Sequence, residues 1–165
     1  MLPIPGLADW PIAMGQRDAF LAWAAGFFDG EGCIRINVQH FPRMRNPSAS
    51  LSMGITNTVA APLLMLNTAY RGCYRTYRHH NPKHAKYAKW TISGQTAYRF
   101  AKDILPFARV KHDQIALGIA FYELPWRSPG QGHHRPRTPE QVQVDLEYAS
   151  RISLAKRMPL GEVRT

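Results

Sequence analysis

Hydrophobic and polar side chains alternate in four short segments of the chain, the pattern typical of half-buried β-strands. In residues 33–39 the polar positions are Arg35, Asn37 and Gln39, with apolar residues between them. The same alternation predicts strands at about 50–56, 73–78 and 87–92. The third strand has two possible outward faces, either Cys73, Arg75 and Tyr77 or Tyr74, Thr76 and Arg78.

Helical patterns occupy the stretches around these strands. The first helix covers about residues 18–29 and is predicted to end in the turn Gly30–Glu31–Gly32. Further helices are predicted at about 59–70, 93–105 and 110–124. Thr138, Pro139 and Gln141 have the spacing of a capping box with proline at the first helical position, so a last helix is expected to about residue 156.

This order of elements, α-β-β-α-β-β-α-α plus a C-terminal helix, predicts the α+β class. A four-stranded antiparallel sheet would carry helices on its apolar face and leave its polar face open. The length of 165 residues suits one compact domain. The core is predicted at residues 18–125, after an arm at 1–17 and before a basic loop and helix at 126–165 that belong to the same domain.

The charge of the chain favours a polyanionic partner. Lysine and arginine outnumber the acidic residues by 21 to 11, which gives a net charge of +10. Neutralising phosphates supplies most of the non-specific affinity for nucleic acid. A basic protein that is merely soluble is the simpler alternative. With two cysteines, no secretory signal and no membrane-length apolar stretch, we expect a soluble intracellular protein, in a prokaryotic cytoplasm or an organelle matrix.

The polar face of the predicted sheet has the side chains that contact base edges and phosphates, and no acidic residue. Antiparallel sheets often leave a polar face to solvent, so hydration alone is the alternative. A strand of eight residues spans about 26 Å, or roughly eight base pairs of DNA. We predict double-stranded DNA binding by Arg35, Asn37, Gln39, Arg43, Arg45, Ser50, Ser52, Thr56, Arg75, Tyr77, Arg78, Lys83, Tyr87 and Lys89.

The first helix is apolar nearly all round, which predicts burial on every side. In a short chain this indicates packing against a second copy as well as against its own core. Small residues would allow two such helices to approach closely across a two-fold axis. The predicted dimer interface therefore consists of Ala22, Ala25, Gly26 and Asp29.

Asp29 and Glu31 stand at the C-terminal end of this helix, where the macrodipole disfavours negative charge. A divalent cation held by carboxylate and backbone oxygens would explain them. The alternatives are that Asp29 accepts backbone hydrogen bonds and that Glu31 is solvated.

Residues 24–32, AAGFFDGEG, resemble the LAGLIDADG motif of homing endonucleases. Residues 55–58, 81–84, 90–94 and 105–111 are similar to other blocks of the single-motif members, so the resemblance covers about residues 18–124. It implies the homing-endonuclease fold, with its saddle-shaped DNA-binding sheet. It also implies an intron-encoded homodimer that hydrolyses both strands of a long pseudo-palindromic site and leaves 3′ overhangs.

The resemblance also implies site residues. Glu31 from each subunit would bind Mg²⁺, or Mn²⁺ or Ca²⁺ in binding alone, with help from the Gly30 carbonyl. Asn57 would orient the attacking water, although the spacing also permits Thr56. Lys111 would stabilise charge near the scissile phosphate. Glu31 stands where aspartate is commoner, and Asn57 where glutamine is commoner.

Other functions compete with cleavage. The same fold could serve as a maturase that binds intron RNA or as a DNA-binding regulator that does not cut. His79, His80 and His84 lie in a predicted loop without a fourth ligand, which argues against zinc. His133, His134, Arg135 and Arg137 form a second basic cluster that could contact the DNA backbone. The last helix either packs on the core or extends the DNA contacts.

Overall fold

The computed structural model describes residues 14–39, 47–81, 85–127 and 137–156, with side chains from residue 16. The predicted α+β class and element order are confirmed. The elements are α1 (Met14–Glu31), β1 (Gly32–Gln39), β2 (Ser48–Asn57), α2 (Ala60–Tyr70), β3 (Cys73–Tyr77), β4 (Tyr87–Ser93), α3 (Gly94–Ile104), α4 (His112–Tyr122), a 3-10 turn (Pro125–Arg127) and α5 (Pro139–Ala155).

The four strands form one antiparallel sheet in the order β1-β2-β4-β3. Its register places Cys33, Gly54, Thr91 and Cys73 in a single row across the sheet. Because side chains alternate between the faces of a strand, this register decides the orientation of β3. Three of its residues, Cys73, Arg75 and Tyr77, share the polar face with Thr91, Lys89 and Tyr87.

Helices cover the other face of the sheet and enclose the core. At the centre of the core, the Phe100 ring packs edge-on against Phe28, Tyr70 and Trp90, with ring centroids 4.8–5.7 Å apart. The Trp90 indole N–H donates to the Arg71 carbonyl at 2.9 Å. Aromatic side chains therefore join α1, α2 and α3 to the apolar face of the sheet.

The first helix is longer than its sequence pattern indicates. It begins at Met14, within the predicted N-terminal arm, and continues through Glu31, so the predicted turn at Gly30–Glu31–Gly32 is wrong. The chain passes directly from helix to strand at Gly32. A Cβ at this residue would lie 2.3 Å from the Phe28 ring. Glycine is therefore required at residue 32, where the chain turns from the helix into the strand.

The last helix packs on the core, the first of the two alternatives for it. Ile152 of α5 is buried, and the Tyr148 ring packs against Phe121 of α4 at 6.0 Å. Thr138 and Gln141 form the predicted capping box.

Among the described residues no helix is long and apolar enough to cross a membrane.

A buried ion pair fastens α5 to the sheet. Asp145 of α5 pairs with Arg127, and their side chains are only 3% and 7% exposed. Arg127 also donates to the carbonyl of Ala49 in β2 at 2.8 Å, and its guanidinium lies 3.8 Å from the centre of the Phe121 ring. Replacing only one member of such a pair would leave an uncompensated buried charge.

Candidate nucleic-acid interface and acidic site

The polar face of the sheet has cations at its centre and neutral polar groups towards its ends. The register brings Arg35 opposite Ser52, and Lys89 between Thr56 and Arg75. Beyond Arg35, Asn37 pairs with Ser50 and Gln39 pairs with Ser48. At the other end the Tyr77 and Tyr87 rings stack with centroids 5.3 Å apart. The strands themselves contain no acidic residue.

A shallow depression of about 210 Å³ lies in this face beside the end of α1. Among the described residues, Glu31 is the only acid that lines it, and the cations Arg35 and Lys89 line it as well. Its remaining lining residues are small or hydroxyl-bearing: Cys33, Ser52, Gly54, Thr56 and Thr91. A Cβ at Gly54 would lie 2.8 Å from the Trp90 carbonyl oxygen, so a larger residue could not keep this backbone packing. The depression thus combines one exposed carboxylate with cations and hydroxyl groups.

Asp29, the other acid of the motif, is occupied by the chain itself. Its carboxylate accepts backbone N–H groups of Arg109, Val110 and Lys111, at 2.7, 3.0 and 2.9 Å. Partial burial would raise its pKa, but these three hydrogen bonds and the nearby Lys111 charge together lower it. Asp29 therefore joins the end of α1 to the start of α4. This agrees with the alternative in which Asp29 accepts backbone hydrogen bonds.

The Lys111 side chain turns back toward the same helix end. Its ammonium donates to the Asp29 carbonyl, a carbonyl in the last turn of α1. A cation is favourable at a helix C-terminus, where carbonyl groups lack intrahelical partners. Lys111 therefore lies next to the helix end that carries Glu31, and it is partly buried there.

Of the two candidates for orienting a water, Thr56 lines the depression. It lies on the polar face opposite Lys89 and is exposed. The neighbouring residue, Asn57, belongs to the alternate position of β2, and its side-chain oxygen accepts the backbone N–H of Val59 at 2.8 Å. This geometry favours Thr56 as the group beside Glu31.

Most of the predicted DNA-binding residues within the described part of the chain share the polar face. Ser52 lies on that face but is only 3% exposed, which leaves little of it for a partner. Arg78 follows the last residue of β3 and has no place in the strand register. Arg43, Arg45, Lys83, His84, His133, His134 and Arg135 lie outside the described residues.

One face of α1 is exposed and made of small residues and partly exposed aromatic rings. Ala22 and Gly26 are exposed, whereas Ala25 is fully buried within the subunit and so does not lie on this face. Trp23 and Phe27 border it, with their rings stacked at 5.7 Å. A Cβ added to Gly26 or Gly30 would meet no atom within 4 Å. Nothing in the described part of the chain therefore explains two glycines inside this helix.

Metal-ligating side chains are sparse in the described residues. No group of three or more His, Cys, Asp and Glu side chains there is arranged to hold a metal ion. The rings of His79 and His80 lie 4.2 Å apart without such a group around them. Both cysteines are free and exposed.

The chain matches no protein-family model and no curated protein sequence. Its structure is similar to that of the homing endonuclease I-CvuI in complex with its target, with a TM-score of 0.68 and 18% identity over 92% of this chain and 88% of that one. The chain has the homing-endonuclease fold. The expected resemblance to LAGLIDADG homing endonucleases is thus confirmed at the level of the fold.

Two further solved structures have the same fold. The homing endonuclease I-TnaI has a TM-score of 0.55 and 18% identity over 82% of this chain and 95% of that one. The LAGLIDADG homing endonuclease I-SmaMI, bound to cleaved DNA, has a TM-score of 0.57 and 14% identity over 79% of this chain but only 42% of its own. Because the sequence identities of these three matches are 18% or lower, the matches show the fold alone.

The depression also contains residues that sequence reasoning did not place there. Strand alternation identified Lys89 as a polar-face residue but could not show that β4 lies next to β2, which brings Lys89 beside Thr56. Cys33 and Thr91 are not among the predicted DNA-binding residues, although both line the depression. The strand order β1-β2-β4-β3, which the alternation pattern does not reveal, brings these residues together.

Proposed function

We propose that the chain is a site-specific homing endonuclease that acts as a homodimer and cuts both strands of a long pseudo-palindromic DNA site with Mg²⁺, leaving 3′ overhangs. The observation that carries this proposal is the position of Glu31, whose exposed carboxylate is the only one among the described residues that line a depression in a basic sheet face. A protein that only binds DNA gains nothing from a carboxylate facing phosphate, because the two groups repel.

The polar face supports DNA as the partner. Its exposed cations, amides and hydroxyl groups are those that contact phosphates and base edges. The eight residues of β1 span about 26 Å, a length that suits one half-site. The homing endonuclease I-CvuI, which shares the fold, was solved in complex with its DNA target.

The donor groups at the end of α1 fit a hard divalent cation only in part. Mg²⁺ prefers six oxygen ligands and binds through one or two carboxylates, water and substrate phosphates. One subunit offers the Glu31 carboxylate and the carbonyl of Gly30, while Asp29 is occupied by its hydrogen bonds. The missing ligands would come from DNA phosphates, water and Glu31 of a second copy. When bound, the cation would polarise the phosphate and lower the pKa of a water molecule.

The chain's own residues would support the reaction around this position. Thr56 would orient the attacking water through its hydroxyl group, and Lys89 would hold a nearby phosphate. Lys111 would fix the helix end through its hydrogen bond to the Asp29 carbonyl. A shift of that helix end by even 1 Å would misplace Glu31.

A homodimer is supported by the exposed face of α1. Each glycine inside a helix costs roughly 0.5–1 kcal/mol relative to alanine. Since Cβ atoms at Gly26 and Gly30 would meet nothing within the subunit, a partner that approaches the helix backbone explains both glycines.

Enlarging a residue of this face should dissociate the dimer. We expect Gly26→Leu to give a monomer by sedimentation or light scattering, because leucine would separate two closely packed helices. The matched control is Ala120→Leu, at an exposed position of α4, which should leave the dimer intact. A wild-type protein that is monomeric at micromolar concentration, or a dimeric Gly26→Leu variant, would contradict this arrangement.

Metal-dependent cutting tests the proposed activity. We expect wild-type protein to cleave both strands of DNA that carries the intron-free insertion site of the host gene in Mg²⁺ and not in EDTA. Tight, specific binding without cutting in either condition would refute the nuclease. It would instead favour the regulator, or the maturase if intron RNA binds as well.

A further inference from the structure

Two basic side chains face each other across the pair formed by β3 and β4. Arg75 and Lys89 are direct partners in the register, and both lie on the polar face. Residues directly opposite in an antiparallel pair have Cβ atoms about 4.5–5.5 Å apart. Like charges at this spacing destabilise a sheet. The register therefore predicts electrostatic repulsion between these two side chains on the polar face of the free protein.

The described residues do not neutralise this pair. None of the ion pairs among them involves Arg75 or Lys89. The nearest acid on the face, Glu31, lines the same depression as Lys89 without forming an ion pair with it. Two opposed cations without an ion-pair partner among the described residues indicate an anion from outside the subunit.

We infer that Arg75 and Lys89 together bind one backbone phosphate of the DNA, at the border of the depression that Glu31 lines. This inference rests on the proposed DNA-binding function. A phosphodiester carries a full negative charge, so it relieves the repulsion between the two cations. A guanine edge offers only neutral acceptors, which would leave that repulsion in place. The Thr56 hydroxyl lies in the same row and can donate to the same phosphate.

The first test is the salt dependence of non-specific binding. Full-length protein is titrated with a duplex of random sequence in EDTA, which prevents cutting, over a series of salt concentrations. Arg75→Gln and Lys89→Gln should each weaken binding at low salt by about threefold to tenfold. Each should also reduce the slope of log affinity against log salt by about 1, because each removes a phosphate contact.

Arg99→Gln is the matched control. Arg99 is exposed on α3, a helix packed against the apolar face of the sheet, so it lies away from the polar face. Its replacement removes the same charge from the chain and should leave the slope unchanged. A comparable loss in this control would assign the effect to net charge alone and would overturn the phosphate site.

The second test is the stability of the protein without DNA. Removing either charge should raise the thermal unfolding midpoint, because it ends the cross-strand repulsion. Lys89→Glu should raise the midpoint further by pairing with Arg75, while it weakens DNA binding the most. Thermal stability and DNA affinity should thus change in opposite directions, whereas the substitution of a purely structural residue would lower both. A fall in the midpoint of Lys89→Glu would contradict the inference.

The outcomes separate this inference from the proposed function. Wild-type protein that fails to bind DNA at all would refute the proposed function. Wild-type binding with an unchanged slope in both variants would refute only the phosphate site. A loss restricted to one target sequence, with the slope unchanged, would assign Arg75 or Lys89 to a guanine contact instead.

Discussion

Replacing Glu31 with glutamine should reduce the rate of DNA cleavage in Mg²⁺ by about a hundredfold or more. Glutamine keeps the length of the side chain but removes the only acidic group among the described residues that line the depression. A neutral amide is a weak ligand for Mg²⁺, which prefers carboxylate and phosphate oxygens. The measurement is single-turnover cleavage of a specific duplex at saturating protein.

DNA binding should survive this substitution. Glu31 repels phosphate in the absence of metal, so the affinity of the Glu31→Gln variant in EDTA should equal or exceed that of the wild type. Glu147→Gln, at an exposed position of α5, is the matched control and should cut at the wild-type rate. Undiminished cutting by Glu31→Gln would place the metal elsewhere, and a parallel loss of binding would indicate a damaged fold.

Replacing Asp29 with alanine should lower the free energy of unfolding by about 2 kcal/mol. The carboxylate accepts three backbone N–H groups at the start of α4. Hydrogen bonds to a charged group contribute about 1.5–3 kcal/mol each when buried, and solvent reduces this at a partly exposed residue. Urea unfolding measures the loss, and Asp18→Ala, at an exposed position of α1, is the control.

The same substitution should change the dependence of stability on pH. The pKa of Asp29 is lower in the folded protein than its ordinary value near 3.8. Its contribution is therefore complete above that ordinary value and is lost as the pH falls through the lower, folded pKa. Asp29→Ala should lack this part of the acid-induced loss of stability. An acid profile identical to that of the wild type would show that the hydrogen bonds of Asp29 contribute little.

Cleavage should fall in the Asp29→Ala variant as well, even in conditions where it remains folded. Without the carboxylate, the start of α4 is no longer held against the end of α1, and Lys111 loses its fixed position next to the Asp29 carbonyl. A variant that folds and cuts like the wild type would show that this connection is structural only.

The strands and their polar face could be predicted because alternation is a local property of the sequence. Ile34 and Ile36 point to the core, and Arg35 points away, as the pattern requires. The orientation of β3 could not be predicted, since both of its faces are largely exposed and polar residues occur on each. Only its pairing with β4 shows that Arg75 lies on the same face as Lys89.

The end of α1 was mispredicted for a physical reason. Glycines usually end helices, and Gly30 and Gly32 suggested a turn between them. A contact distant in sequence decides otherwise, because the start of α4 holds Asp29 at the end of the helix. Gly32 has a different role, since the Phe28 ring leaves no space for a Cβ there. The identity of Glu31 as the exposed acid was predictable from the motif. Its proximity to Lys89 depends on the pairing of β2 with β4, which no local pattern reveals.

The buried ion pair between Arg127 and Asp145 also bears on how the protein avoids aggregation. β1 is an edge strand, and an edge strand with free backbone groups can pair with another chain. Because α5 packs against β1 and is tied to the sheet through Arg127, we expect it to hinder such pairing. A chain truncated before residue 139 would lose this protection and leave Arg127 without its carboxylate. The strand that carries Arg35 and Asn37 would then be open to self-association, so we expect the last helix to protect the proposed DNA-binding surface from aggregation.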